Sequence, residues 1–256
     1  MSASSELETT ARRAIVCLDL TNLEDNCTEA DVDTLCKRAQ TREGSVAAVC
    51  VWPRFVAQAS GALKGTGVHV ATVVNFPSGA EPIEDVKLVT EKALEAGADE
   101  IDLVIPYRAL MDGDPEAVER CVADVRKVCG SAPLKAILET GELKDAALIR
   151  DAAERALRGG ADYLKTSTGK VSVNATPEAA EIMLHAIKTS GSSAGLKVSG
   201  GIRTTEDAKT YFAICDDLMG GSWAGPRNFR IGASGLLDAL LETLGGSSAE
   251  LNEDSY

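Results

Sequence analysis

Short apolar segments alternate with amphipathic helical segments along the whole chain, and this alternation limits the fold more than any other feature. The apolar segments are 14–19, 45–52, 69–75, 100–105, 134–140, 162–167, 195–199 and 228–232. They are rich in Val, Ile, Leu and Ala, as parallel strands covered by helices should be. Helical spacing follows each of them, at 28–40, 55–63, 82–96, 115–129, 144–158, 177–190, 204–214 and 234–244. Several of these carry boundary signals: threonine at Thr28 and Thr204, proline in the first turn at Pro82 and Pro177, and glycine past the end at Gly97 and Gly191.

Eight strand–helix units in 256 residues match the length of one closed barrel. An open doubly wound sheet is the alternative, but no dinucleotide fingerprint follows the first strand. No linker divides the chain. The expected fold is a single (β/α)₈ TIM barrel over residues 1–244, with a flexible, acidic C-terminal tail over 245–256. Its active site belongs at the C-terminal ends of the strands.

Within that fold, Asp19, Asp102, Lys135, Lys165 and Lys197 stand out, because each falls within or at the end of a barrel strand. Charged residues are rare in barrel cores, and five together suggest a polar mouth with compensating charge. Lys165 lies near the end of the strand Asp162-Tyr163-Leu164-Lys165-Thr166-Ser167, just before the turn Thr168-Gly169-Lys170. Taken alone it reads as a lysine snorkelling to the surface. Lys197 changes that reading, since it lies on the next strand, roughly 4.8 Å away. Desolvation and a second ammonium both disfavour protonation, and a neutral amine at a strand end can attack a carbonyl and form a Schiff base. Asp102, flanked by aliphatics, is either the structural partner of a barrel lysine or a general acid/base.

Three glycine turns follow the last three strands: Thr168-Gly169-Lys170, Gly200-Gly201-Ile202-Arg203 and Gly232-Ala233-Ser234-Gly235. Loops in these positions commonly bind phosphate through backbone N–H groups and a helix N-terminus. Cys50 lies where it can point into the barrel, but neither His69 nor His185 offers it a base. Both histidines, with Arg54 and Arg108, read as structural or surface residues.

The formal net charge of −13 argues against nucleic-acid and anionic-membrane partners. Seven cysteines without a C-x-x-C pair, beside two histidines, point to reduced core residues and to no metal site. No apolar run has membrane-spanning length, and the first residues do not read as a signal peptide. The expected home is cytoplasmic. The helix faces are too ordinary to yield an oligomeric state, so a homodimer stays open.

The chain resembles the deoxyribose-phosphate aldolase family of class I, Schiff-base aldolases nearly end to end. The resemblance rests on Asp19-Leu20-Thr21, Cys50-Val51-Trp52-Pro53-Arg54-Phe55, Val74-Asn75-Phe76-Pro77, Asp102 with Pro106-Tyr107-Arg108-Ala109-Leu110-Met111, Glu139-Thr140-Gly141-Glu142-Leu143, Lys165-Thr166-Ser167-Thr168-Gly169-Lys170, Gly200-Gly201-Ile202-Arg203 and Phe229-Arg230-Ile231-Gly232-Ala233-Ser234. It implies reversible cleavage of 2-deoxy-D-ribose 5-phosphate to acetaldehyde and D-glyceraldehyde 3-phosphate, without metal or organic cofactor. It also implies roles. Lys165 would form the Schiff base, Lys197 would lower its pKa, and Asp102 with Lys197 would relay protons. Asp19 and Cys50 would lie near the substrate. Thr168, Gly169, Lys170, Gly200, Gly201, Gly232 and Ser234 would surround the phosphate, and the terminal Tyr256 would reach the site on a mobile tail.

Two departures from the family pattern stand out. Val198-Ser199 precede the glycine pair where the family often has Pro-Ala. Gly235 follows Ser234 where the family has a second serine. The lost hydroxyl removes a hydrogen bond worth about 1.5–3 kcal/mol to a charged acceptor, so weaker phosphate affinity is expected. Two other readings compete: a phosphosugar isomerase that forms no covalent adduct, and a non-catalytic phosphosugar-binding barrel. Two barrel lysines beside an aspartate suit imine chemistry better than carboxylate-base isomerisation.

Overall fold

The computed structural model describes residues 3–245, and the expected tail beyond Gly245, with Tyr256, lies outside them. All eight apolar segments contribute strands to one closed parallel barrel. The strands are β1 (Leu18–Asn22), β2 (Ala48–Val51), β3 (His69–Val74), β4 (Glu100–Val104), β5 (Leu134–Ile137), β6 (Tyr163–Lys165), β7 (Gly195–Ser199) and β8 (Phe229–Ala233). Each pairs with its neighbours in sequence, and β8 closes on β1 through Asp19 opposite Gly232. Around the barrel lie α1 (Ala3–Val16), α2 (Glu29–Arg38), α3 (Val56–Ala62), α4 (Ile83–Glu95), α5 (Tyr107–Met111), α6 (Glu116–Cys129), α7 (Thr140–Leu143), α8 (Ala146–Arg158), α9 (Pro177–Ser190), α10 (Thr205–Met219) and α11 (Leu236–Thr243). None of the described helices is long and apolar enough to cross a membrane.

The helix starts follow from local chemistry. Thr28 with Asp31, and Thr204 with Asp207, form complete capping boxes before α2 and α10. Thr176 and Asp145 accept from the first-turn N–H groups of α9 and α8. Each such cap stabilises its helix by about 1 kcal/mol.

The structure corrects the sequence reading at several boundaries. Residues 14–16 end α1 instead of opening β1. Ala11, Ala14 and Ile15 recur at helical spacing and are fully buried, and Arg13 pairs with Asp216 of α10 at 2.9 Å. Strand β2 starts at Ala48, because 44–45 pair with 40–41 in a small antiparallel hairpin. Strand β5 stops at Ile137, since Glu139 turns the backbone left-handed (φ 56°) and starts the short α7. Helix α5 follows Pro106 directly, and α10 runs five residues beyond its expected end.

The apolar core is a ring between sheet and helices. Val118, Val122 and Val125 of α6 and Ile149, Ala152, Ala153 and Ala156 of α8 are buried there, with outward-facing Ile101, Leu103, Leu196 and Val198. Each fully buried valine, leucine or isoleucine side chain contributes roughly 1.5–3 kcal/mol. Barrels of this class usually fill their lumen with branched aliphatics. Here the inward positions of β4, β5, β6, β7, β8 and β1 carry charges instead.

Candidate active site

Side chains alternate along a strand, so Glu100 and Asp102 share the inner face of β4. Register places Asp102 opposite Lys135, Ile137 opposite Lys165, Lys165 opposite Lys197, and Lys197 opposite Arg230. The result is one buried ionic ladder. Asp102 Oδ2 accepts from Lys165 Nζ at 2.8 Å and from Lys197 Nζ at 2.7 Å, and its Oδ1 accepts from Lys135 Nζ at 2.8 Å. Lys197 also donates to Asp19 Oδ2 at 2.5 Å. Arg230 joins Asp19 (2.7 Å) to Glu100 (2.8 Å), and Lys135 lies 2.6 Å from Glu100. At the N-terminal end of the barrel, His69 Nδ1 lies 2.8 Å from Glu100 Oε1.

Every barrel charge in this ladder is buried, and such burial is tolerable only when charges are paired. Burial raises the Asp102 carboxyl, but Lys135, Lys165 and Lys197 outweigh it and hold Asp102 well below the usual carboxylate range. Asp19 is held low against burial by Lys197, Arg230 and Lys135, and Glu100 by Lys135, His69 and Arg230. Burial lowers Lys135 and Lys197, but the surrounding carboxylates lift both above the ordinary lysine value. Lys165 goes the other way. Burial lowers its pKa, Asp102 raises it, Lys197 lowers it again, and the net shift is downward. The charge count explains the difference. Asp19, Glu100 and Asp102 face Lys135, Lys165, Lys197 and Arg230, so one positive charge is in excess. It is shed most easily from Lys165, which has one carboxylate partner and lies at the edge of a cavity.

That cavity, about 140 Å³, opens at the C-terminal ends of β6, β7, β8 and β1. Of the residues singled out in the sequence, Lys165, Thr168, Gly169, Lys170, Gly200, Gly232 and Ser234 line it. Gly169, Gly200 and Gly201 have φ of 84°, 80° and 84°, a region that favours glycine. Gly201 itself is outside the lining. Asp19 and Cys50 are also outside it, fully buried, with Asp19 bound to Lys197. Burial pushes the Cys50 thiol up, so it rests as a neutral group beside Lys197, Asp102 and Lys165. Lys170 stays half-exposed, with its Nζ 4.0 Å from Asp25. No cluster of His, Cys, Asp or Glu among the described residues is arranged to hold a metal ion.

The snorkelling reading of Lys165 fails, since the residue is 3% exposed and hydrogen-bonded to Asp102. Sequence reasoning assigns no role to Glu100 or Arg230 and misses the grip of Glu139 on Thr168. Two-residue alternation could have found the first two, because Glu100 shares its face with Asp102 and Arg230 with Gly232. His69 is structural as expected, but through Glu100 it forms the lower end of the ladder. Arg54 and Arg108 are exposed, with Arg54 stacked 4.7 Å over Phe55 and Arg108 donating to Ser78 O at 2.7 Å.

Residues 13–235 match the model of the DeoC/LacD family aldolases. A protein of Agrobacterium fabrum (strain C58) named deoxyribose-phosphate aldolase is 56% identical over 242 residues, covering 93% of this chain and 93% of its own. Among solved structures, an apo chain of Toxoplasma gondii ME49, provisionally assigned as a deoxyribose-phosphate aldolase, superposes with a TM-score of 0.87. It is 28% identical, over 94% of this chain and 98% of its own. A deoxyribose phosphate aldolase of Aeropyrum pernix, described as a unique tetramer, gives a TM-score of 0.76 at 30% identity, over 96% and 99% of the two chains.

Proposed function

This chain belongs to the DeoC/LacD aldolase family, and from that premise we propose that it reversibly cleaves 2-deoxy-D-ribose 5-phosphate to acetaldehyde and D-glyceraldehyde 3-phosphate through a Lys165 Schiff base. The observation that carries the reading is the sharing of Asp102 Oδ2 by Lys165 and Lys197 at the floor of the cavity. The neutral Lys165 amine attacks the C1 aldehyde of the open-chain sugar, and the carbinolamine hydroxyl takes a proton relayed through Asp102 and Lys197 and leaves as water, giving a protonated imine. A base removes the C3 hydroxyl proton, the C2–C3 bond breaks, and its electron pair moves into the imine to form an enamine. Glyceraldehyde 3-phosphate departs. Protonation of the enamine at C2, followed by hydrolysis of the imine, releases acetaldehyde and the free lysine.

Asp102, bonded to both Lys165 and Lys197, would relay protons between the two lysines. The glycine turns at Gly169, Gly200 and Gly232, with Lys170 and Ser234, supply the donors for the phosphate. All seven cysteines are free, which supports a reducing compartment, and we infer the cytoplasm.

Borohydride trapping with acetaldehyde, followed by peptide mass mapping, tests this reading. A reduced two-carbon adduct on Lys165 is expected. An adduct on Lys197 would exchange the two lysine roles. No adduct in a protein that still binds the phosphosugar would favour a non-covalent isomerase or a binding barrel.

A further inference from the structure

The loop after β6 carries three residues of the cavity wall, and its hold comes from a residue that follows another strand. Glu139 comes after β5 with φ 56° and ψ 55°, a left-handed conformation that is strained for a glutamate. The backbone on either side stays bonded to the β6 chain, with Leu138 N donating to Lys165 O (2.9 Å) and Thr140 N to Thr166 O (3.0 Å). The twist lets the carboxylate engage one residue with both oxygens. Thr168 N donates to Oε1 at 3.2 Å and Thr168 Oγ1 donates to Oε2 at 2.6 Å. Thr168 Oγ1 in turn accepts from Lys170 N at 3.0 Å. Glu139 is fully buried, and burial raises its pKa, so this contact is kept at a cost.

The far leg of the same loop is fixed by close packing. A Cβ on Gly141 would lie 1.9 Å from Val173 O, and one on Gly200 would lie 2.6 Å from the Asn174 side chain. On the near leg Ser199 Oγ donates to Ser167 O (2.5 Å), and Glu139 is the side-chain grip on Thr168, where Thr168, Gly169 and Lys170 face the cavity.

We propose that Glu139 is a positioning residue that sets the Thr168–Lys170 loop for the substrate phosphate, and so determines the preference for phosphorylated over unphosphorylated sugar. This rests on the aldolase reading above. Its test is the ratio of kcat/KM for 2-deoxyribose 5-phosphate to kcat/KM for 2-deoxyribose, measured in wild type, Glu139→Ala, Glu139→Gln and Thr168→Val. In Glu139→Ala the ratio should fall about tenfold through a higher KM for the phosphosugar, the size of one lost hydrogen bond to a charged group. Glu139→Gln keeps an acceptor and should restore most of the ratio. Thr168→Val removes the Oγ1–Oε2 half of the contact from the other side, keeps the backbone half, and should lower the ratio in the same direction even if Glu139→Ala fails to fold. The double variant should lose no more than the larger single loss.

An unchanged ratio in Glu139→Ala or Thr168→Val, or equal losses for both sugars, would overturn the proposal. Acetaldehyde trapping on the wild-type protein separates the two failures. An adduct with an unchanged ratio defeats the Glu139 role alone, whereas the absence of an adduct defeats the aldolase reading beneath it.

Discussion

Below the cavity floor, charge is handled by seven side chains packed against one another in the lumen; around the rim, the glycine turns at Gly169, Gly200 and Gly232 stand with Lys170, Ser234 and the carboxylate of Glu24. The two regions share Lys165 and the loop that follows it, yet they work by different physics. The interior is buried, so each charge there interacts strongly and each lost partner is costly. At the rim Gly169, Lys170 and Ser234 are exposed, so their interactions are screened by solvent. On the proposed chemistry, reactivity would be a property of the whole ladder, while phosphate binding would be a sum of local contributions.

The largest effect should come from Lys165→Ala, which removes the nucleophile and should lower turnover by about 10⁴-fold or more, with no trapped adduct. Measurable imine-dependent cleavage in that variant would remove the interior's claim to the chemistry. Asp102→Asn should lower kcat by about 10²–10³-fold in steady-state assays. It should also destabilise the fold by about 3–5 kcal/mol in denaturant titrations, because three cations lose their shared partner.

Lys197→Met isolates the electrostatic side of the interior. Lys197 lowers the Lys165 pKa by repulsion, so its loss must raise that pKa and keep the amine protonated to higher pH. The ascending limb of the pH–rate profile should move up by about one unit, apart from any fall in kcat. A downward move would refute the assigned sign.

Acid tests the interior through its carboxylates. Asp19, Glu100 and Asp102 are held below ordinary carboxylate values, so their contribution is complete above the unfolded pKa and is lost as pH falls through the folded one. Denaturant midpoints should hold down to about pH 5 and fall steeply below about pH 4. The smallest effect tests the rim. Gly235 has an ordinary φ and open space where a Cβ would stand, so serine fits there without strain. Gly235→Ser should lower KM for the phosphosugar by about tenfold while kcat stays the same.

The same division sets what could be read from the residues alone. Lys197 and Asp102 are legible because each interrupts an apolar run that reads as a buried strand, and Lys165 because it lies on the strand beside Lys197. Glu100 and Arg230 lie near strand ends, where a charge ordinarily meets water, and only closure of the barrel brings them together. The first strand was misplaced because Ala14-Ile15-Val16 is as apolar as a strand, and the packing of that helix against α10 and α11 is a tertiary fact. Glu139 was invisible for a different reason: glutamate has no propensity for left-handed backbone, so nothing local announces the turn. The Thr168, Gly169 and Gly200 turns were readable as loops, but their convergence on one cavity follows from the strand order.

The surplus positive charge in the lumen also bears on the direction in which a bound intermediate relaxes. An iminium on Lys165 would restore the fourth cation that the three carboxylates cannot neutralise, and unlike the amine it cannot lose that charge to solvent. Cleavage of the C2–C3 bond discharges it, since the enamine is neutral. On the proposed chemistry, the barrel would therefore hold the covalent intermediate in an electrostatically uncomfortable state and lower the barrier to carbon–carbon scission, with the charged lumen deepening the electron sink that the imine provides.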